Sequence, residues 1–319
     1  MKATLPAIVS CLVAWLTLAF LLRQKLLPAA HPDARSLHRS TVARGAGVAI
    51  WAGVAASAFW LPVTWSAALP MALVIAVSFW DDRRSLSVGL RLASHFTAAV
   101  AWLALTGLPS GLVVAPLVVL IIVWMANLYN FMDGSDGLAA AMTLVGFTAY
   151  SIVAWRVESA APAFMLAVAA ATVPFMIVNW PPARAFLGDV GAVPIGFLAA
   201  ILGTLGWQAD WWPAWFPPLV FLPFIVDATA TLVRRLFAGE RIWRAHRDHA
   251  YQRLVRMGLG HSGTLALYLA LMMGTAGSAV AALLRAPATG GTLLAFWTGA
   301  LLFMFGSVDR AWRMQGKSR

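Results

Sequence analysis

One cysteine, Cys11, stands in 319 residues. An intrachain disulfide needs two and a cysteine-type zinc site needs more, so both are excluded. Cys11 lies within an apolar run and reads as a small apolar filler. Charge is scarce as well, at 11% of residues, where about 25% is usual in soluble domains. Acids are rarest, with twelve against 23 basic residues. Hydrophobic types reach 61%, above the roughly 45–50% of soluble chains. Too few polar residues remain to cover a soluble fold, so lipid must cover much of the outside.

What is present fits that setting. Sixteen tryptophans suit a membrane interface, where indole rings concentrate. The net charge of +11 is read as cytoplasmic loops facing anionic lipid and as help for a phosphate-bearing substrate, with no nucleic acid partner. The run Leu5 to Leu22 lacks a basic leader and ends in Arg23 and Lys25, not in a small-residue cleavage site. It is expected to be a retained helix.

A crossing helix needs about 20 apolar residues. That rule predicts an all-α, polytopic transmembrane bundle of eleven helices, or ten if a short one fails. The expected spans are 5–27, 46–63, 67–80, 92–108, 112–128, 137–155, 162–179, 191–207, 214–233, 264–284 and 291–309. The whole of 1–319 reads as one membrane domain. With the N-terminus outside and the C-terminus in the cytoplasm, twenty of the 23 basic residues fall inside, and only Lys2, Arg156 and Arg285 fall outside. That split obeys the positive-inside rule. It makes 236–262 a cytoplasmic loop rich in histidine and arginine.

The scarce acids collect on that inner face. Asp81 and Asp82 end one span, Asp133 and Asp136 follow another in NLYNFMDGSDGLAA, Asp189 precedes a third in FLGDVG, and Asp227 lies within the ninth. Converging carboxylates repel and need a cation, a proton or basic partners. Oxygen ligands without cysteine suit a hard divalent ion, Mg²⁺ above all where a substrate brings phosphate. Asn127, Asn130, Asp133 and Asp136 recur every three residues, too spread for one helix face. Gly134 and Gly137 are expected to break the helix there. Asp136 would then cap the next helix and leave Asn130 or Asp133 free for a ligand. Asp227 is expected to face protein and to be functional or to form a structural ion pair. His246, His249, Arg253 and Arg256 follow i, i+3, i+7, i+10 spacing, so one helical face could present them to phosphate. An amphipathic helix on anionic lipid is the alternative. His38 and Arg44 add to the first inner loop. His95 reads as a packing residue, and Asp210 as lying outside.

DDRRSLS, NLYNFMDGSDGLA, FLGDVGA, PFIVDATATLVRR and HRDHAYQRL, in this order between about Asp33 and Leu254, resemble the polyprenyl-phosphate N-acetylhexosamine-1-phosphate transferases. The resemblance implies a helix bundle with a cytoplasmic cleft in a bacterial inner membrane. It implies transfer of a sugar-1-phosphate from a UDP-amino-sugar to undecaprenyl phosphate, releasing UMP, with Mg²⁺ as cofactor and Mn²⁺ as its substitute. Asp81 and Asp82 match the acidic pair near the lipid phosphate, and Asp227 the ninth-helix aspartate; all three are taken as catalytic. Asp189 and Asn130 match metal-supporting residues. His246 and His249, with Arg247 and Arg253, match the loop that engages the nucleotide sugar. Arg44, Asn127, Asp133 and Asp136 are taken as further substrate-binding residues. HRDHAYQRL is most similar to the branch that initiates O-antigen and departs from the triple-histidine form of the peptidoglycan translocase, which stays as the alternative activity. Ala192 stands where much of the family has serine. A homodimer is admitted. A proton-coupled transporter is the competing class, through Asp227, but no inverted repeat is seen.

Overall fold

A computed structural model describes residues 4–30, 41–61, 64–107, 113–157, 159–241 and 246–317. His38 lies outside them. The described residues form thirteen α-helices. The first seven are α1 (Thr4–Arg23), α2 (Gly47–Ser57), α3 (Trp65–Arg84), α4 (Val88–Thr106), α5 (Val114–Met132), α6 (Leu138–Ala154) and α7 (Ala161–Asn179). The rest are α8 (Asp189–Gln208), α9 (Phe216–Val220), α10 (Leu222–Phe237), α11 (Ala250–Leu254), α12 (Gly260–Arg285) and α13 (Gly290–Lys317). Each expected span finds a helix. Among the described residues seven helical stretches are long and apolar enough to cross a bilayer: α1, α4, α5, α7, α8, Ala250–Arg285 and Pro287–Gln315. The protein is therefore a multi-pass membrane protein.

The other four expected spans differ for local reasons. Helices α2 and α6 are apolar but shorter. Helix α3 ends in Asp81, Asp82, Arg83 and Arg84, which lowers its mean hydropathy. The ninth is split at Phe221 into α9 and α10, because proline at the first turn of each supplies no backbone N–H to continue a preceding helix. The bundle is not wholly helical either. Strands β1 (Ala29–Ala30) and β2 (Val42–Ala43) pair antiparallel, and Ala43 also bridges Ala185.

Helix α8 is the centre of the bundle. Along its membrane-length core 83% of residues are buried, against 11% in the α13 stretch, so α8 is walled by protein and α13 is largely exposed. It packs between α3, α5 and α2. Small residues allow this approach, as at other membrane helix interfaces. Gly47 of α2 lies against the Gly191 backbone with no room for a Cβ, and the Trp51 indole N–H donates to the Val190 carbonyl at 2.7 Å. The first residue of this best-shielded helix is Asp189.

Candidate active site

Three segments remote in sequence meet at the start of α8. Asp82, at the end of α3, accepts the backbone N–H groups of Asp189 and Val190, each at 3.0 Å. Those N–H groups have no partner inside the helix, so Asp82 satisfies them and fixes where Asp189 stands. Arg44 follows β2. Its backbone N–H donates to the Pro28 carbonyl, and Phe186 donates to Ala43, so the strands tie the Arg44 loop to the loop carrying Asp189. The Arg44 guanidinium then bridges Asp82 at 2.9 Å and Asp189 at 2.6 Å. Arg91, in the first turn of α4, bridges Asp81 at 3.1 Å and Asp189 at 3.5 Å. Asp81 also accepts the Leu86 N–H at 2.5 Å, which closes the turn between α3 and α4.

The arrangement is layered. The carboxylates of Asp81, Asp82 and Asp189 are 2–6% exposed, whereas the Arg44 and Arg91 side chains are 41% and 33% exposed. An incoming anion therefore meets guanidinium before carboxylate. Arg44's pKa is raised: burial opposes the charge, but Asp189 and Asp82 outweigh it.

Asp133 caps the C-terminus of α5, just outside that helix, and joins the group. Its surroundings push its pKa well above the usual carboxylate range, chiefly by burial and then through Asp189 and Asp82, against the pull of Arg44. Four acids thus face two arginines, a surplus of negative charge. The donors are all oxygen, which fits Mg²⁺, an ion that keeps several waters and is commonly held by one or two carboxylates with substrate phosphate. Among the described residues no three acidic, histidine or cysteine side chains stand close enough to hold a metal alone. The Asn130 amide has no hydrogen-bond partner among the described residues. It lies one turn before Asp133 and is free for a ligand.

The other expected residues are placed differently. Helix α5 ends at Met132 and α6 starts after Gly137, whose φ is +75°, so the glycine break holds. Asp136, however, does not cap α6. Its carboxylate accepts the Ala183 N–H at 3.0 Å and faces His261 at 3.5 Å, which anchors the loop leading to Asp189. The Asn127 amide donates to Val123 O at 2.7 Å and meets His95 Nδ1 at 3.3 Å. It is braced between α4 and α5 by His95, which is buried.

Among the described residues Asp227 pairs with no arginine; the basic side chain beside it is His249, whose Nδ1 lies 3.7 Å away. It accepts Ala250 N at 2.7 Å, Tyr251 N at 3.1 Å, Tyr268 Oη at 2.5 Å and Thr231 Oγ1 at 3.3 Å. A carboxylate offers about four lone-pair sites, so Asp227 is fully used as the anchor of α11. Arg235 pairs instead with Glu240 and Asp248.

The single helical face across His246 to Arg256 is not formed. His246 and His249 precede α11, a π-turn over Val255–Leu259 follows it, and Gly258 kinks the chain at φ +105°. Arg253 turns to Asp309, Arg256 stacks on Trp312, and Arg247 is half-buried beside them. The two histidine rings lie 4.9 Å apart. His249 also stacks on Phe131 at 6.0 Å, and the Tyr251 hydroxyl donates to the Phe131 carbonyl at 2.9 Å. That places the histidine loop over the α5 turn bearing Asp133. Arg91, counted above only among the inner basic residues, joins the acidic group through its ion pairs with Asp81 and Asp189; its place ten residues after Asp81, in the first turn of the next helix, was the available signal.

The glycosyl transferase family 4 model matches residues 64–206, a stretch holding Asp81, Asp82, Asp133 and Asp189. Over that stretch the chain is similar to glycosyl transferase family 4. It is 29% identical to the probable undecaprenyl-phosphate N-acetylglucosaminyl 1-phosphate transferase of Bacillus subtilis (strain 168), over 75% of this chain and 73% of that one. It is 26% identical to the undecaprenyl-phosphate alpha-N-acetylglucosaminyl 1-phosphate transferase of Yersinia pestis, over 89% and 84%. Similarity to the phospho-N-acetylmuramoyl-pentapeptide-transferase of Chloroflexus aggregans (strain MD-66 / DSM 9485), 33% identical, covers only 42% and 36%.

Two predictions arise here. Gly188 has φ +74° and ψ 171°, a region essentially reserved for glycine and costing roughly 1–3 kcal/mol for other residues. A Cβ there would also lie 2.6 Å from Asp82 Oδ2 and 2.8 Å from the Gly45 backbone. Gly188→Ala is expected to lower the melting temperature and to cut turnover by about tenfold or more, since it displaces the Asp82–Asp189 contact. Wild-type melting and turnover would show that this contact tolerates a shift.

The second concerns pH. Burial, then His249 and Arg235, push the His246 pKa down to about 4, against an ordinary value near 6.5. Between those values the unfolded chain binds the proton and the folded one does not. Stability is therefore complete above about pH 6.5 and is lost as pH falls toward 4. The melting temperature of the protein should drop between pH 7 and pH 5, and His246→Gln should flatten that drop. An identical pH dependence in the variant would acquit His246.

Proposed function

We propose that the protein transfers an N-acetylhexosamine-1-phosphate from a UDP-sugar to undecaprenyl phosphate, giving undecaprenyl-diphosphate-sugar and UMP, and so initiates O-antigen or a related surface polysaccharide. The single observation that carries this reading is the meeting of Asp81, Asp82 and Asp189 beneath Arg44 and Arg91 at the start of α8. Two half-exposed arginines over buried acids suit a diphosphate better than an uncharged or cationic cargo. The names of the Bacillus and Yersinia relatives support GlcNAc as the sugar. The basic residues of the inner loops support a cytoplasmic site, with the N-terminus periplasmic.

The reaction joins two anions. Mg²⁺, with Mn²⁺ as a substitute, held by Asp189 and Asn130 together with substrate oxygens and water, would offset charge on the diphosphate and on departing UMP. Arg44 and Arg91 would hold phosphate oxygens as bidentate donors. The acceptor phosphate oxygen forms a bond to the sugar-side phosphorus while the anhydride bond to UMP breaks. A phosphate monoester with a second pKa near 6 is already largely dianionic at pH 7, so it needs little general-base help. Asp81 would orient it. Attack is direct: Asp82 is occupied by two N–H groups and Arg44, and is poorly placed as a nucleophile. His249, His246 and Arg247 would face the nucleotide end of the donor.

The test is to incubate purified protein, undecaprenyl phosphate and Mg²⁺ with labelled UDP-GlcNAc, UDP-GalNAc or UDP-MurNAc-pentapeptide in turn. Lipid-linked label and equimolar UMP from one amino-sugar donor are expected. Efficient use of the pentapeptide donor alone would move the protein to the peptidoglycan branch, and no lipid product from any donor would reject transfer.

A further inference from the structure

We propose that Asp309, on the last helix, is a positioning residue for the histidine-bearing loop. The proposal rests on that loop meeting the donor, as above. Asp309 lies outside the stretch matched by the family model. One of its oxygens takes both Arg234 of α10 and Arg253 of α11, and the other pairs with Arg313 at 2.9 Å. Arg234 also donates to the Asp248 carbonyl at 3.0 Å, and Asp248 is the residue before His249. Three helices and the loop are thus tied through one carboxylate.

The surroundings make that tie decisive. A cavity of about 170 Å³, lined by Asp227, Arg234, Asp248, Arg253, Phe305 and Asp309 among others, separates α13 from the loop. Packing across it is incomplete, and the ion pairs span the gap. The Arg253 side chain is 8% exposed and lies in the repulsive field of Arg234. Two guanidiniums held this close need the acid between them. Helix α11 has five residues and is set off from α12 by the π-turn and the kink at Gly258, so its tilt is set by Asp227 at its start, by the Tyr251 hydroxyl on Phe131 and by Asp309 beside its end. Loss of Asp309 would let Arg234 and Arg253 part, tilt α11 and carry His249 off Phe131.

The experiment uses the full chain in detergent and has two readouts. The first is the rate at which diethyl pyrocarbonate modifies His249, followed by mass spectrometry; it needs no substrate. His249 is 3% exposed and should be protected in the wild type. Asp309→Asn should raise its modification rate by about tenfold, and Asp309→Glu should restore protection. The second is steady-state kinetics with labelled UDP-GlcNAc and undecaprenyl phosphate. Asp309→Asn should raise the donor KM by about tenfold while the acceptor KM stays within about twofold. Should Asp309→Asn fail to fold, the pair Asp309→Asn with Arg234→Gln removes the surplus cation and is read in the same way. An unchanged His249 rate, or equal changes in both KM values, would overturn the proposal. A wild type that transfers no sugar would overturn the functional reading alone, because the modification rate still judges Asp309.

Discussion

Asp189→Asn is expected to reduce sugar-1-phosphate transfer by about 10³-fold or more, in line with the removal of a central electrostatic group from a phosphoryl-transfer site. The fold should survive. The backbone N–H of residue 189 still reaches Asp82, and the substitution leaves volume almost unchanged. What disappears is the negative charge shared by Arg44 and Arg91 and offered to a divalent ion. Both arginines then lose a partner at once, and with it the geometry that suits a diphosphate. Turnover at saturating Mg²⁺, with the melting temperature measured alongside, checks this. Near-normal turnover would remove Asp189 from the chemistry, and a collapsed melting temperature would mark it as a structural residue.

The largest effect on stability is expected at Asp227. Asp227→Ala would strip hydrogen bonds from Ala250 N, Tyr251 N and Tyr268 Oη together. Each buried group left without a partner costs about 1–3 kcal/mol, so a loss on the order of 3–5 kcal/mol is expected even if water enters in part. The damage should be local first. Proteolysis should reach the segment after Arg241 well before the bundle melts, and transfer should fall with it. Asp227→Asn keeps one acceptor oxygen and should lie between. If Asp227→Ala kept wild-type stability but lost activity, the carboxylate would belong to the reaction after all, as the sequence alone suggested.

The acids were legible in the sequence because a lipid-covered chain has so few of them. Each cluster stood out at the same ends of apolar runs, so convergence followed from topology. What each carboxylate does was not legible. Asp82, Asp136 and Asp227 all read as chemistry-bearing acids, yet each meets backbone N–H groups of a segment far away, and no local pattern announces such a partner. The arginines were opaque for the same reason: Arg91 finds Asp189 98 residues on. The spacing from His246 to Arg256 misled because periodicity assumes an unbroken helix. Gly258 breaks it on one side, and Asp227, from α10, fixes where α11 begins on the other. The split at Phe221 could have been anticipated, since FPPLVFLP places proline where an uninterrupted span cannot keep its hydrogen bonds.

Binding of Mn²⁺, followed by electron paramagnetic resonance with UDP-GlcNAc present, tests most directly whether these remote acids form one cation-supported phosphate site. The wild type should hold one ion per chain, and binding should be lost in folded Asp189→Asn and weakened in Asn130→Ala. Equal Mn²⁺ binding in all three proteins would contradict the account.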